Sequence, residues 1–384
     1  MKRKVNWGVP RKITQQISER KISWLELFSD LVYVVMIHSL TVGLEKHLNF
    51  KGFITFLVLF YLIFNSWNNL AIYFDLHGND SFRNAFLSMA QVILVALLAG
   101  TVSSAFQQKY AVTALVYLAI QGLFMYMWWT TARYDPEHMQ TTRPYLVYYA
   151  IGCLLLVLVA TIQQPVIQIG GLMLVALLDF SALLLESRNF NAEFNSRKID
   201  FRISASLLER YGQFTMIVLG ESLANLIEIF DKGLDLQRIG YFLLLVISTI
   251  ALWWLYYSLM DDVKVEAANY QGLVLFRGLH INFILALTLE CFFLAELAHS
   301  TTPLIKLGYL ISLVLVLLLL TLMVVPHQAH PLPKRNLWLN GSLAFSVILI
   351  SWFLPEVFML LVIDVVLIIS CVYRELNGKH QIEN

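Results

Sequence analysis

Charge is what this 384-residue chain has least of. Its 27 Lys plus Arg and 26 Asp plus Glu amount to 14% of the residues, while apolar types fill 58%. A water-soluble domain of this length needs a polar skin around its core, and too few polar residues are present to make one. Lipid is therefore the expected solvent. The near balance of the two signs excludes a strongly basic surface, so no nucleic-acid partner is expected. Cysteine is scarcer still. Cys153, Cys291 and Cys371 each sit in an apolar run without CxxC or Cys/His spacing, which excludes a zinc site or a dithiol redox centre. The HExxH zinc motif, the phosphate-cradling GxxxxGK[ST] and a TVGYG-like filter are missing as well, so neither a metal nor a cofactor is expected. The early basic residues Lys2, Arg3, Lys4, Arg11, Lys12, Arg20 and Lys21 lead into no short apolar region with a cleavage site before Trp24. The first span is thus expected to direct insertion itself.

Long apolar runs are what the chain has in quantity. Crossing hydrocarbon takes about 20 residues of helix, and on that measure the runs predict an all-α, polytopic transmembrane helix bundle of about twelve spans. The first set lies near residues 24–44, 53–74, 85–105, 110–132, 144–163 and 165–186; the second lies near 207–229, 239–259, 272–295, 304–325, 337–353 and 355–374. The organisation expected is a cytoplasmic basic tail (1–22), a first six-span half (23–186), a cytoplasmic linker (187–206), a second half (207–374) and a tail (375–384). Only a turn at Pro165 or Pro355 divides the fifth from the sixth span and the eleventh from the twelfth, so each pair is alternatively a re-entrant hairpin.

Basic residues near span ends are retained in the cytoplasm. With these spans most Lys and Arg fall on the side of the amino-terminal tail, and only Lys46, Lys51, Lys109, Lys232, Arg238 and Lys306 on the other. Both termini are therefore expected in the cytoplasm. Trp128, Trp129, Trp253, Trp254, Tyr256 and Tyr257 read as an interfacial aromatic belt. The halves echo one another: ELFSDLVYVVMIHS from Glu26 lies on ERYGQFTMIVLGES from Glu209, which pairs Asp30 with Gln213, His38 with Glu221 and Ser39 with Ser222. Two halves of like orientation form a parallel repeat about an axis along the membrane normal.

Ionisable groups inside spans are the candidates for chemistry, because a charge at mid-bilayer costs about 2.5–3.5 kcal/mol on insertion scales. Counted from Leu207, Glu221 lies about 21 Å into the seventh span. A carboxyl held there is suited to carry a proton reversibly. Asn225 and Glu228 follow on the same helical face and extend a polar stripe. In the first span Asp30 lies one turn beyond Glu26, and His38 sits at the depth of Glu221, so the two are expected to exchange protons across a central interface. The bland alternatives are a protonated glutamic acid bonded to a neighbouring helix and a neutral, hydrogen-bonded histidine. Glu26 and Glu209 also suit helix starts. Arg210 or Arg277 is expected to neutralise Asp30 or Glu26 in a supporting charge cluster. Asp179, His280, Glu290 and Asp364 are further ionisable groups in apolar runs, without a partner legible in one dimension.

WLELFSDLVYVV at Trp24 and ERYGQFTMIVLGES at Glu209 resemble the two signature segments of the bacterial low-temperature-requirement A membrane protein family, and the layout of spans is similar over nearly the whole chain. Ser29 and Gln213 stand where that pattern has apolar residues. The resemblance implies a multi-pass protein of the bacterial plasma membrane, with no settled chemistry. FSDLVYVV alone is also similar to the first span of a family of lysosomal and bacterial potassium channels. A proton-coupled secondary transporter of a small solute or ion is the leading expectation. A cation channel and a membrane-embedded enzyme acting on a lipid or quinone are the alternatives. Membrane lipid is the expected partner, and a homo-oligomer is compatible with all three.

Overall fold

The computed structural model describes residues 7–15, 20–185, 187–261, 263–300, 302–327 and 350–382. Among them the long elements are all helices: α1 (Trp24–Lys46), α2 (Phe50–His77), α3 (Phe82–Phe106), α4 (Ala111–Tyr134), α5 (Met139–Thr161), α6 (Pro165–Leu185), α7 (Ser187–Arg197), α8 (Ala205–Leu226), α9 (Leu236–Met260), α10 (Tyr270–Leu297), α11 (Pro303–Val324) and α12 (Glu356–Ile382). Among the described residues eleven helices are long and apolar enough to cross a membrane. They coincide with the expected spans except the one near 337–353, which lies almost wholly outside the described residues. α5 and α6, of 23 and 21 residues, are each about as long as the hydrocarbon is thick. α7 is an addition: an 11-residue helix inside the segment read as a linker.

Local chemistry starts these helices where they start. Ser23 and Glu26 form a reciprocal capping box at α1, Asn49 caps α2 through the Gly52 amide at 3.1 Å, and Ser81 caps α3 through Asn84 at 3.3 Å. Each satisfies amide groups that a lipid-facing helix end would otherwise leave bare. Pro165 opens α6, where its missing N–H costs nothing.

The helices group into two compact units: residues 1–210 with 267–274, and residues 211–266 with 275–384. In the first, α1 packs on α3, α4 on α5 and α5 on α6. Glycine allows the close approach: a Cβ on Gly152 would stand 2.4 Å from the Gln121 side-chain oxygen, and one on Gly171 would stand 2.3 Å from a Val159 methyl. In the second unit α12 packs on α9. Both units are polar within and oily without. Ser66, Gln91 and Gln121 in the first unit and Ser248 and Glu290 in the second are fully buried, whereas Ile93, Leu154, Val166, Leu243 and Leu318 face outward. That is the arrangement expected of a protein whose surroundings are hydrocarbon.

The expected aromatic belt is only partly one. Trp129 and Trp253 are about half exposed, but Trp128 and Tyr256 are buried, because α4 and α9 turn those faces inward.

α7 is clamped to the turn between α4 and α5. Arg197 donates to both oxygens of Asp135, at 3.0 and 3.1 Å, and lies 2.9 Å from Glu137 and 3.3 Å from Glu193. His138 meets Glu193 at 2.7 Å. Burial alone would raise the Asp135 carboxyl, but hydrogen bonds from Arg197 and its charge outweigh that and hold it below the usual aspartate value of 3.8. A depressed carboxylate contributes stability that is whole above its unfolded pKa and lost as pH falls through the folded one. Amide-exchange protection of α7 is therefore expected to be level above about pH 4 and to fall below it. Asp135→Asn is expected to weaken protection already at neutral pH and to flatten that acid limb; an unchanged limb would show that the clamp does not depend on Asp135.

Candidate functional site

The first unit holds its deepest ion pair where α1, α2 and the start of α8 meet. Arg210 donates to both oxygens of Asp30, at 2.6 and 3.0 Å, and Trp67 donates its indole N–H to Asp30 at 2.8 Å. Glu26 lies 3.5 Å from the same guanidinium and also meets Arg20 and the Ser23 hydroxyl. The Arg210 guanidinium stands 5.9 Å from the Trp67 ring centroid, within cation–π reach. Asp30, Arg210 and Glu26 are all under 5% exposed. Two carboxylates around one buried arginine, with a second arginine at the rim, are electrically settled. The cluster joins helices and offers no vacancy for chemistry.

A second polar region in this unit is a cavity of about 30 Å³ at the α7 end of the helices. Asn65, Asn68 and Asn69 of α2, Tyr149 of α5 and Asp179 of α6 line it, beneath aromatic rings that include the stacked pair Phe190 and Tyr270, with centroids 4.2 Å apart. Tyr117 donates to one oxygen of Asp179 at 2.9 Å, and Gln121 reaches both, at 2.9 and 3.1 Å. Asn69 binds the Tyr149 hydroxyl and accepts from Trp128 at 3.2 Å. Trp128, read from the sequence as belt, is part of this wall.

In the second unit Glu290 of α10 is completely buried, and among the described residues neither of its carboxyl oxygens has a hydrogen-bond partner of normal geometry. Its neighbour Cys291 offers only a weak thiol donor. Asp364 of α12 is within electrostatic reach. Ser248 donates to one Asp364 oxygen, and the other is without a partner among the described residues. The buried Tyr309 hydroxyl of α11 lies in the field of both acids. Glu290 lies about 10 Å from the Leu297 end of α10 and Asp364 about 12 Å from the Glu356 end of α12. The helices thus bring two acids to one depth, and among the described residues no basic side chain figures in the electrostatics of either.

The residues singled out in the sequence are distributed as follows. Glu26, Asp30 and Arg210 meet. Glu209, next along α8, is exposed, and Arg277 is buried in the second unit. Along α8 Glu221 is buried; Asn225 is half-buried and Glu228, in the 3₁₀ turn Ile227–Lys232, is exposed. The stripe therefore runs from the interior of the second unit to its surface. Ser222, beside Glu221, lies against Cys291, next to Glu290. His38 is on the exposed face of α1 in the first unit. The Glu290–Asp364 pair and the partners of Asp179 went unassigned in the sequence. Their only signal there was an acid in an apolar run, which says nothing of the facing helix. Among the described residues no group of three or more His, Cys, Asp or Glu side chains is placed to hold a metal ion.

The family model of the bacterial low temperature requirement A protein matches residues 21–372, so the chain belongs to that family. No curated protein and no solved structure matches it. Family and helices together make it a multi-pass membrane protein.

Removing Asp30 strands the Arg210 charge in the interior. Asp30→Ala is expected to lower unfolding stability by about 3–5 kcal/mol, and a double change to Asp30→Leu with Arg210→Met to recover most of that loss. Chemical denaturation in detergent checks both; a single change costing under about 1 kcal/mol would show the pair to be no more than a surface-type contact.

Proposed function

We propose that this protein is a proton-coupled secondary transporter of a small solute or ion, and that Glu290 and Asp364 are its proton-carrying pair. One observation carries the reading: a wholly buried carboxyl, Glu290, with both oxygens unpartnered among the described residues and a second acid within its field. Such a group cannot remain in hydrocarbon as an uncompensated anion, and two neighbouring acids resist being ionised together. A proton is the smallest ligand that satisfies them. Loading and unloading it changes the charge inside the unit, which is what coupling to a second solute requires. Glu228, Asn225 and Glu221 are the groups by which a proton passes between the surface and this pair, in order of increasing burial. The match between the segments at Glu26 and Glu209 supports two halves built as a repeat, a common plan for transporters. The uneven distribution of Lys and Arg supports cytoplasmic termini, and the family supports a bacterial plasma membrane.

Proteoliposomes under an imposed pH gradient test this. The native chain is expected to dissipate the gradient, and Glu290→Gln to lose about tenfold or more of that rate while keeping its melting temperature. Proton movement that survives Glu290→Gln unchanged removes the pair from the pathway. Flux that follows the membrane voltage without protons favours a channel. No flux under any gradient turns attention to lipid or quinone chemistry.

A further inference from the structure

The cavity of the first unit takes no part in the proton route, and its chemistry is different. Among the described residues its lining contains one carboxylate, Asp179, and no lysine, arginine or histidine. The contrast with Asp30 lies in the same unit, where each carboxylate oxygen meets Arg210. Both oxygens of Asp179 are bonded by neutral groups, the Tyr117 hydroxyl and the Gln121 amide. Such a set of neighbours can hold a carboxylate in place. Neutral donors orient a carboxylate without cancelling its charge, so the cavity beside it suits a positive charge from outside the chain.

We infer that this cavity is a binding site for one monovalent cation of about potassium or ammonium size, with Asp179 as its counter-charge. Size, charge and wall chemistry agree on that class. A volume of about 30 Å³ holds one or two particles the size of water and no organic solute. One carboxylate neutralises one positive charge. Asn65, Asn68 and Tyr149 add amide and phenol groups, and the aromatic rings above them suit a weakly hydrated cation. Divalent ions fit poorly: calcium takes about six to eight oxygen ligands and magnesium keeps several waters, more than this space and donor set supply. As a statement about cargo this rests on the transport reading; as a statement about binding it stands by itself.

The test is calorimetric titration of the purified full-length protein, in a background of a bulky organic cation, with potassium, ammonium, sodium and magnesium chlorides. Saturable uptake of one potassium or ammonium ion per chain is expected. Asp179→Asn is expected to weaken it by about tenfold or more while raising the melting temperature in cation-free buffer, because the lone buried charge is gone. Ile72→Phe, which adds a ring to the cavity wall and leaves Asp179 in place, is expected to weaken binding as well. Native protein that takes up none of the cations overturns the proposal whatever the variants do. Binding unchanged in Asp179→Asn, or in Ile72→Phe should the first variant fail to fold, overturns it too. Absent flux with binding intact would remove the transport reading and leave the site.

Discussion

A carboxylate and a guanidinium taken out of water together, Asp30 and Arg210, set the terms on which the first unit holds. Each alone would be costly to hold away from water. Joined by two hydrogen bonds and braced by the Trp67 indole, they tie α1 and α2 to the start of α8. Glu26 extends the same cluster to Arg20 and caps α1 in doing so. Lipid gives helices no hydrophobic reason to prefer one another, so buried polar contacts of this kind select which faces meet. Arg83 follows the same rule with neutral acceptors: Tyr73 at 2.7 Å, Thr130 at 2.6 Å and Asn84 at 3.1 Å.

Against that rule the exceptions carry meaning. Among the described residues Asp179 is bonded only by neutral groups, neither oxygen of Glu290 is hydrogen-bonded, and Asp364 is half satisfied. Glu26, Asp30, Asp135 and Glu193 each meet a basic side chain, so these acids stand apart, and the two kinds of exception suit different ligands. Asp179 borders a space wide enough for an ion. Glu290 and Asp364 lie close enough to influence each other and suit a proton.

Much of the fold was legible before any coordinates. Apolar runs of about 20 residues are a length constraint imposed by the bilayer, and lengths survive in one dimension. Ser23 and Glu26 carry the spacing of a capping box, so the start of α1 was legible too. α7 was hidden by its charge, although Phe190 with Phe194, and Glu193 with Arg197, keep the four-residue spacing of a helix. The site was legible only as a set of acids. In a helix apolar all round, periodicity does not say which face turns inward, so the meeting of Asp179 with Tyr117 and Gln121 depends on helix rotations that no pattern records. The same blindness placed Trp128 in a belt when it walls a cavity.

Paired charges hold the first unit together, and the acids of the second unit that lack a basic partner among the described residues are the ones proposed to carry protons. Infrared difference spectroscopy on the purified protein at neutral pH reads this directly, since a protonated carboxyl has its own carbonyl band. Glu290→Gln is expected to lose part of that band and Asp30→Asn to leave it intact, because Asp30 is paired with Arg210. A band unchanged in Glu290→Gln, or diminished in Asp30→Asn, would contradict the proposal.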